Sequence, residues 1–197
     1  MHADRSSLLA PGPLALIALV LAAALTRLLP HPPNFTPLAA MALFGGAYFA
    51  SRRWALLVPV LALLASDLVL GLLHGGTYLE YYTTTAYLPS LLANYASMLL
   101  TGVIGFALRG KVSASRVLGG ALAASVLFFV ISNFAVWVMA QGSPYPGPCR
   151  LGLGPCYVAA IPFFQWSLLG TVIYAALMFG GFAWMRGQLP ALRAQTV

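Results

Sequence analysis

Charge is what this chain has least of. Only 7% of its 197 residues are charged, and the acidic ones number three: Asp4, Asp67 and Glu80. A soluble domain carries about a quarter charged residues, so too few remain to coat a water-facing surface, and a soluble domain is excluded. Cysteine is nearly as scarce. Cys149 and Cys156 are the two present, and they form no Cys-x-x-Cys, so neither a zinc nor a redox motif is supported. Gly-x-Ser-x-Gly and His-Glu-x-x-His are missing, and with them the nucleophile–base arrangements those motifs supply. Gly105-Phe-Ala-Leu-Arg-Gly-Lys-Val112 comes close to a phosphate-binding loop. It lacks the Ser or Thr after the lysine and follows an apolar run where a strand is required, so nucleotide binding is not expected. No low-complexity tract, internal repeat or soluble domain is visible.

What fills the chain instead is apolar: 61% hydrophobic residues and a mean hydropathy of +0.90. A span of the bilayer core takes roughly 20 residues, so 197 residues allow about six spans with short loops. The apolar runs predict helices over Pro13–Leu29, Thr36–Ala50, Trp54–Leu73, Thr84–Leu108, Val117–Ala140 and Tyr157–Met185. The second is short for a full span. Transmembrane barrels are excluded, because their strands alternate polar and apolar residues, whereas Ala55–Ala65 is continuously apolar. The expected fold is an all-α polytopic membrane protein, a single domain over 1–197. Prolines 59, 89 and 162 are expected to kink the third, fourth and sixth helices.

The formal charge of +7 does not point to nucleic acid. The basic residues punctuate the apolar runs, as they do at the cytoplasmic ends of membrane helices. With both termini in the cytoplasm, Arg5, Arg52, Arg53, Arg109, Lys111, Arg116, Arg186 and Arg193 lie inside, and only Arg27 and Arg150 outside. A signal peptide is the competing reading of the N-terminus, but the first helix runs past Ala22–Ala24 without a clear cleavage site.

The outer loops then hold the chemistry. Asp67 sits within an uncharged helical stretch, where a carboxylate costs about 2.5–3.5 kcal/mol and usually faces a cavity or a partner; Ser66, Asn94 and Asn133 are candidate partners. The proline-rich first loop holds His31, Asn34 and Phe35, with Thr36 placed to cap the second helix and Pro37 in its first turn. The next outer loop carries His74, Tyr78, Glu80, Tyr81 and Tyr82, either a recognition surface or an interfacial aromatic belt. The longest loop, Gln141 to Cys156, holds Cys149, Arg150 and Cys156, and Tyr157 follows it at the start of the sixth helix. Its cysteines are expected close together, as a disulfide, as free thiols or as metal ligands. Asn133 and Trp137 face a pocket beneath it or pack the helix.

Two segments carry a family resemblance: Pro30-His-Pro-Pro-Asn-Phe-Thr-Pro-Leu-Ala-Ala-Met-Ala-Leu-Phe-Gly-Gly-Ala47 and Gly154-Pro-Cys-Tyr-Val-Ala-Ala-Ile-Pro-Phe-Phe164. Together with Ser66-Asp67 and Ser132-Asn133-Phe134, they resemble the substrate-binding S components of energy-coupling-factor vitamin transporters, and within that group the stand-alone cobalamin S components. The resemblance implies a six-helix bundle in a bacterial cytoplasmic membrane with substrate held near the outer face. No intrinsic cofactor is implied; cobalamin is the expected ligand. It also implies that Ala18 and Ala22 offer a small-residue face to a transmembrane coupling subunit. Unlike a cobalamin binder that ligates cobalt from the third loop, this chain has no cysteine between His74 and Thr83, which leaves His31, His74, Cys149 and Cys156 as candidate cobalt ligands. Riboflavin or a queuosine precursor would also suit aromatic walls. A membrane thiol or redox enzyme using Cys149 and Cys156 is the alternative from a different class.

Overall fold

A computed structural model describes residues 10–76, 80, 83–142 and 146–192. Its helices are α1 (Pro11–Leu25), α2 (Leu38–Tyr48), α3 (Arg52–His74), α4 (Leu88–Phe106), α5 (Ala114–Gln141) and α6 (Leu153–Gln188), and no strand occurs among the described residues. α1 and its following 3₁₀ turn, α3, α4 with its preceding turn, α5 and α6 are each long and apolar enough to cross a membrane. Leucines 57, 61, 64, 68 and 72 line the exposed side of α3, and similar rows lie on α4 and α5. A continuous apolar exterior of this kind belongs against lipid. The chain is an all-α polytopic membrane protein.

The ends of the bundle differ in character. One, called here the loop face, carries Pro30–Thr36, the 75–87 connection and the 142–152 connection. The other, the arginine face, carries Arg52, Arg53, Arg109, Lys111, Arg116 and Arg186.

α2 is the exception among the helices. At 1.5 Å per residue it is only about 16 Å long, too short to span, and Ala40 through Tyr48 are all buried. It runs through the middle of the bundle and touches each of the other five helices. Close approach depends on glycine. A Cβ at Gly46 would fall 2.9 Å from Gly105 Cα on α4, and one at Gly45 would fall 2.8 Å from the Pro59 ring on α3. On the α6 side the contact is aromatic: Phe44 meets Phe179 at 5.2 Å and Tyr48 meets Phe182 at 4.7 Å.

The last turn of a helix leaves carbonyls without partners, and inside a membrane protein the protein itself must satisfy them. Arg109 does so. Its guanidinium donates to the carbonyls of Gly46 at 2.9 Å, Phe49 at 2.8 Å and Ala50 at 3.3 Å. It also lies over the Phe106 ring at 4.5 Å, with Arg52 at 5.4 Å from the same ring. Burial, and then the neighbouring Arg52 charge, pull its pKa below the ordinary arginine value.

Several boundaries differ from expectation. α1 ends at Leu25 and passes into a 3₁₀ turn, Thr26–Leu28, instead of running on to Leu29. Thr36 does not cap α2, which starts at Leu38 with Pro37 in the capping position and no side-chain cap. Pro89 lies in the first turn of α4, where a missing N–H costs nothing, so it starts a helix and does not kink one. Pro59 and Pro162 do lie inside their helices.

Arg109→Lys is expected to destabilise the protein by roughly 3 kcal/mol, because an ammonium cannot reproduce a fork of charge-assisted bonds to three carbonyls. Thermal unfolding in mild detergent checks this. Unfolding at the wild-type temperature would mean that α2 is not held by this side chain.

Candidate functional site

The loop face is hollow because α1 stops early. Thr26 lies about 22 Å along from Pro11, and Asp67 about 22 Å along from Arg52, at 1.5 Å per residue. At this level the Thr26 hydroxyl donates to the Ala23 carbonyl at 2.6 Å, which leaves the Tyr174 hydroxyl to donate to Thr26 at 2.7 Å. Beside it, Arg27 forms an ion pair with Asp67 at 2.7 Å and donates to Ser66. The Tyr95 hydroxyl points at the other Asp67 oxygen from 3.4 Å. Both charges are buried, 12% and 5% exposed. The chain then dips inward: a Cβ on Gly170, midway along α6, would meet the Thr36 nitrogen at 3.0 Å. The first loop is thus the floor of a bowl, walled by the loop-face halves of α3, α4, α5 and α6.

Two hollows open in this bowl. The smaller, about 260 Å³, lies between α4, α5 and α6. Its polar groups are Asn34 on the floor, Ser90 and Asn94 on α4, Ser132 and Asn133 on α5, and Ser167 on α6. Its apolar walls include Phe128, Phe129, Phe163 and Phe164. No charged residue lines it among the described residues. Asn34 adopts φ 65°, a left-handed conformation that asparagine tolerates better than most residues. The Asn133 amide donates to the Phe129 carbonyl at 2.8 Å, which turns its oxygen toward other donors. Phe129 is wedged between Phe164 at 4.9 Å and Tyr157 at 5.6 Å, and the Tyr157 hydroxyl ties α6 to α5 by donating to the Val130 carbonyl at 2.6 Å. The larger hollow, about 640 Å³, is lined by Arg27, His31, Thr36, Leu70 and His74 among others.

The residues singled out from sequence divide accordingly. Asn34 and Asn133 share the smaller cavity; His31 and His74 share the larger. Asp67 lines neither. Its principal partner is Arg27, which was expected at the outer end of the first helix, and it holds Arg27 on the wall of the larger hollow. Phe35 packs on Tyr174, ring centroids 5.7 Å apart, below the cavities. Trp137 stacks on the outward-facing Phe134 at 5.5 Å and is not in the cavity wall. Glu80 and Arg150 are exposed. Tyr78, Tyr81 and Tyr82 lie outside the described residues. Cys149 and Cys156 are joined as a disulfide. Their sulfurs are bonded to each other and are not the thiolates that cobalt ligation needs. Among the described residues, no group of three or more His, Cys, Asp or Glu comes together as a metal site. The polar residues missed are Ser90 and Ser167, each in an apolar run where one hydroxyl looks like ordinary helix filler, while Ser132 was noted only as part of the resemblance. Asn94 was noted only as a partner for Asp67.

Fold and cavity together define a polytopic helical membrane protein with an uncharged polar pocket sunk into one face. The chain belongs to DUF6580, a family of unknown function, whose model matches residues 8–192. No curated protein and no solved structure matches it.

Asp67→Asn leaves Arg27 without its counter-charge at membrane depth and is expected to destabilise the protein by about 3 kcal/mol or more. The double variant Arg27→Met with Asp67→Leu is expected to recover most of that loss. Thermal unfolding of all three proteins is the measurement, and a double variant no more stable than Asp67→Asn would refute a purely structural pair.

Proposed function

We propose that this protein is a membrane-embedded binding subunit that captures a small, neutral, planar heterocycle at its loop face and passes it inward. The observation that carries the reading is the 260 Å³ cavity, where three asparagines and three serines meet four phenylalanines with no charged residue among the lining. Phenylalanine faces hold a flat ring, and asparagine amides match the paired donor and acceptor on a lactam-type edge. Riboflavin and queuosine-precursor chemistry both fit that description. The likeness of the proline-rich loop and the α6 entry to S components of vitamin transporters points the same way.

Two observations support an outward-facing cavity in a bacterial cytoplasmic membrane, with both termini inside. Six basic residues gather at the opposite end, as cytoplasmic ends require. The disulfide lies at the loop face, and disulfides persist in oxidising compartments. Ala18 and Ala22 are exposed on α1 beside Leu14, Leu21 and Leu25, which leaves that face open to a coupling subunit.

A second reading has its own observation. His31 and His74 line one 640 Å³ hollow, so an imidazole is placed to approach the cobalt of a cobalamin. The 260 Å³ cavity is below the roughly 300–1,000 Å³ of pockets for drug-sized ligands, and cobalamin is larger than these. The compact heterocycle is therefore the primary reading.

Calorimetric titration of purified protein with riboflavin, a queuosine precursor and cobalamin tests both. Binding of a compact heterocycle, weakened roughly tenfold by Asn94→Ala or Ser132→Ala as each hydrogen bond is lost, is the expected result. Cobalamin binding with a shifted visible spectrum that disappears in His31→Ala or His74→Ala would install the second reading. Folded protein that binds none of the three would overturn both.

A further inference from the structure

The loop-face cavity and a groove at the arginine face lie along the same pair of helices. The groove, about 780 Å³, is bounded by Val117, Leu118 and Ala121 on α5 and by Val172, Ala175 and Phe179 on α6. The cavity reaches down to Phe128 on α5 and Ser167 on α6. What separates them is about 10 Å of α5 and about 8 Å of α6, at 1.5 Å per residue. The Phe129–Phe164 contact above and the Ala121–Val172 level below set the register. Ser125 therefore falls level with Leu168, and Thr171 lies about one turn nearer the groove.

This partition is not built as a seal. Interlocked large side chains would close two voids from each other. Here the buried residues are Ala124 and Ser125 on α5 with Thr171 on α6, all of them small, while Gly170 beside them packs on the Phe35 and Thr36 backbone. The Ser125 hydroxyl is buried with no hydrogen-bond partner among the described residues, and so is that of Ser97 on α4. Ser97 continues the stripe of Ser90 and Asn94, four and then three residues on, so it shares their face one turn deeper. An unmet buried hydroxyl opposes folding, and alanine in its place would remove the penalty. Two such groups directly below a polar cavity are accounted for by a partner that bonds them only in passing.

We propose that α5 and α6 part at this partition and that the ligand crosses there, from cavity to groove. Ser97 and Ser125 replace the hydrogen bonds that a neutral heterocycle gives up when it leaves Asn94 and Asn133. The idea rests on the binding reading above, but its test needs no ligand.

Ser125→Cys and Thr171→Cys are made singly in the full chain, whose own cysteines are tied in the disulfide, and reconstituted into liposomes. The probe is a charged, membrane-impermeant methanethiosulfonate reagent, added outside or trapped inside. Val126→Cys, on the exposed exterior of α5, is the lipid-facing control. Both partition thiols are expected to label at least about tenfold faster than the control from either side, because a charged reagent is excluded from lipid. Labelling no faster than the control overturns the crossing, and labelling from the loop face alone overturns it too, since it marks only a deeper pocket. Ser125→Ala should unfold at or above the wild-type temperature. A lower temperature would mean that the hydroxyl has a structural partner, which also overturns the proposal. Failure to bind any vitamin would leave the labelling result standing, so the two claims fail separately.

Discussion

A helix too short to cross the membrane sits at the centre of this bundle, and its backbone must be satisfied there without water. The rest of the structure follows from that constraint. The last carbonyls of α2 need donors, and Arg109 supplies them from the turn after α4. The helix must also be approached closely from several directions at once, which is why Gly45 and Gly46 meet Pro59 and Gly105. Such packing is the usual means by which helices associate in lipid, where burial of apolar surface gives no preference for helix over solvent.

At its other end, α2 is reached by a chain that has already left α1 well below the loop face. Thr26–Tyr174 and Arg27–Asp67 fix where α1 ends, and Gly170 lets the returning strand of chain lie against α6. α3, α5 and α6 run on past this level, so the space above the first loop is left open. The cavity is thus a consequence of one short helix and one early stop, not of any residue that lines it. The Tyr157 bond then holds α6 to α5 at the open end, and the disulfide ties the 148–150 turn back onto α6.

The membrane class and the number of helices could be read from the sequence because they depend on apolar runs, which are local. The depth of each residue is not local. Asp67 was recognisable as a costly charge, but its partner Arg27 is forty positions away and looked like an ordinary cation at the outer end of a helix until the early end of α1 drew it into the bundle. Ser90 and Ser167 escaped notice for the same reason. A serine in an apolar helix has no signature of its own, and only the convergence of three helices distinguishes a pocket residue from filler. Trp137 shows the converse: its composition suited a pocket, but helical phase turned it toward Phe134 and the exterior.

On the binding reading proposed above, the absence of charge from the described lining of the smaller cavity narrows the ligand more than the fold does. This chain has few charges to place, and the structure shows where the described ones go. Arg27 and Asp67 neutralise each other within the bundle, and six cations gather at the arginine face. A ligand with a net charge, once desolvated in the smaller cavity, would find no counter-charge there, and burying an unpaired charge is heavily penalised. A large apolar ligand would cover amide and hydroxyl side chains without bonding them, which is also unfavourable. The molecule that avoids both costs is neutral, flat enough to lie between phenylalanine rings, and edged with hydrogen-bonding groups. The size of the cavity then keeps it compact.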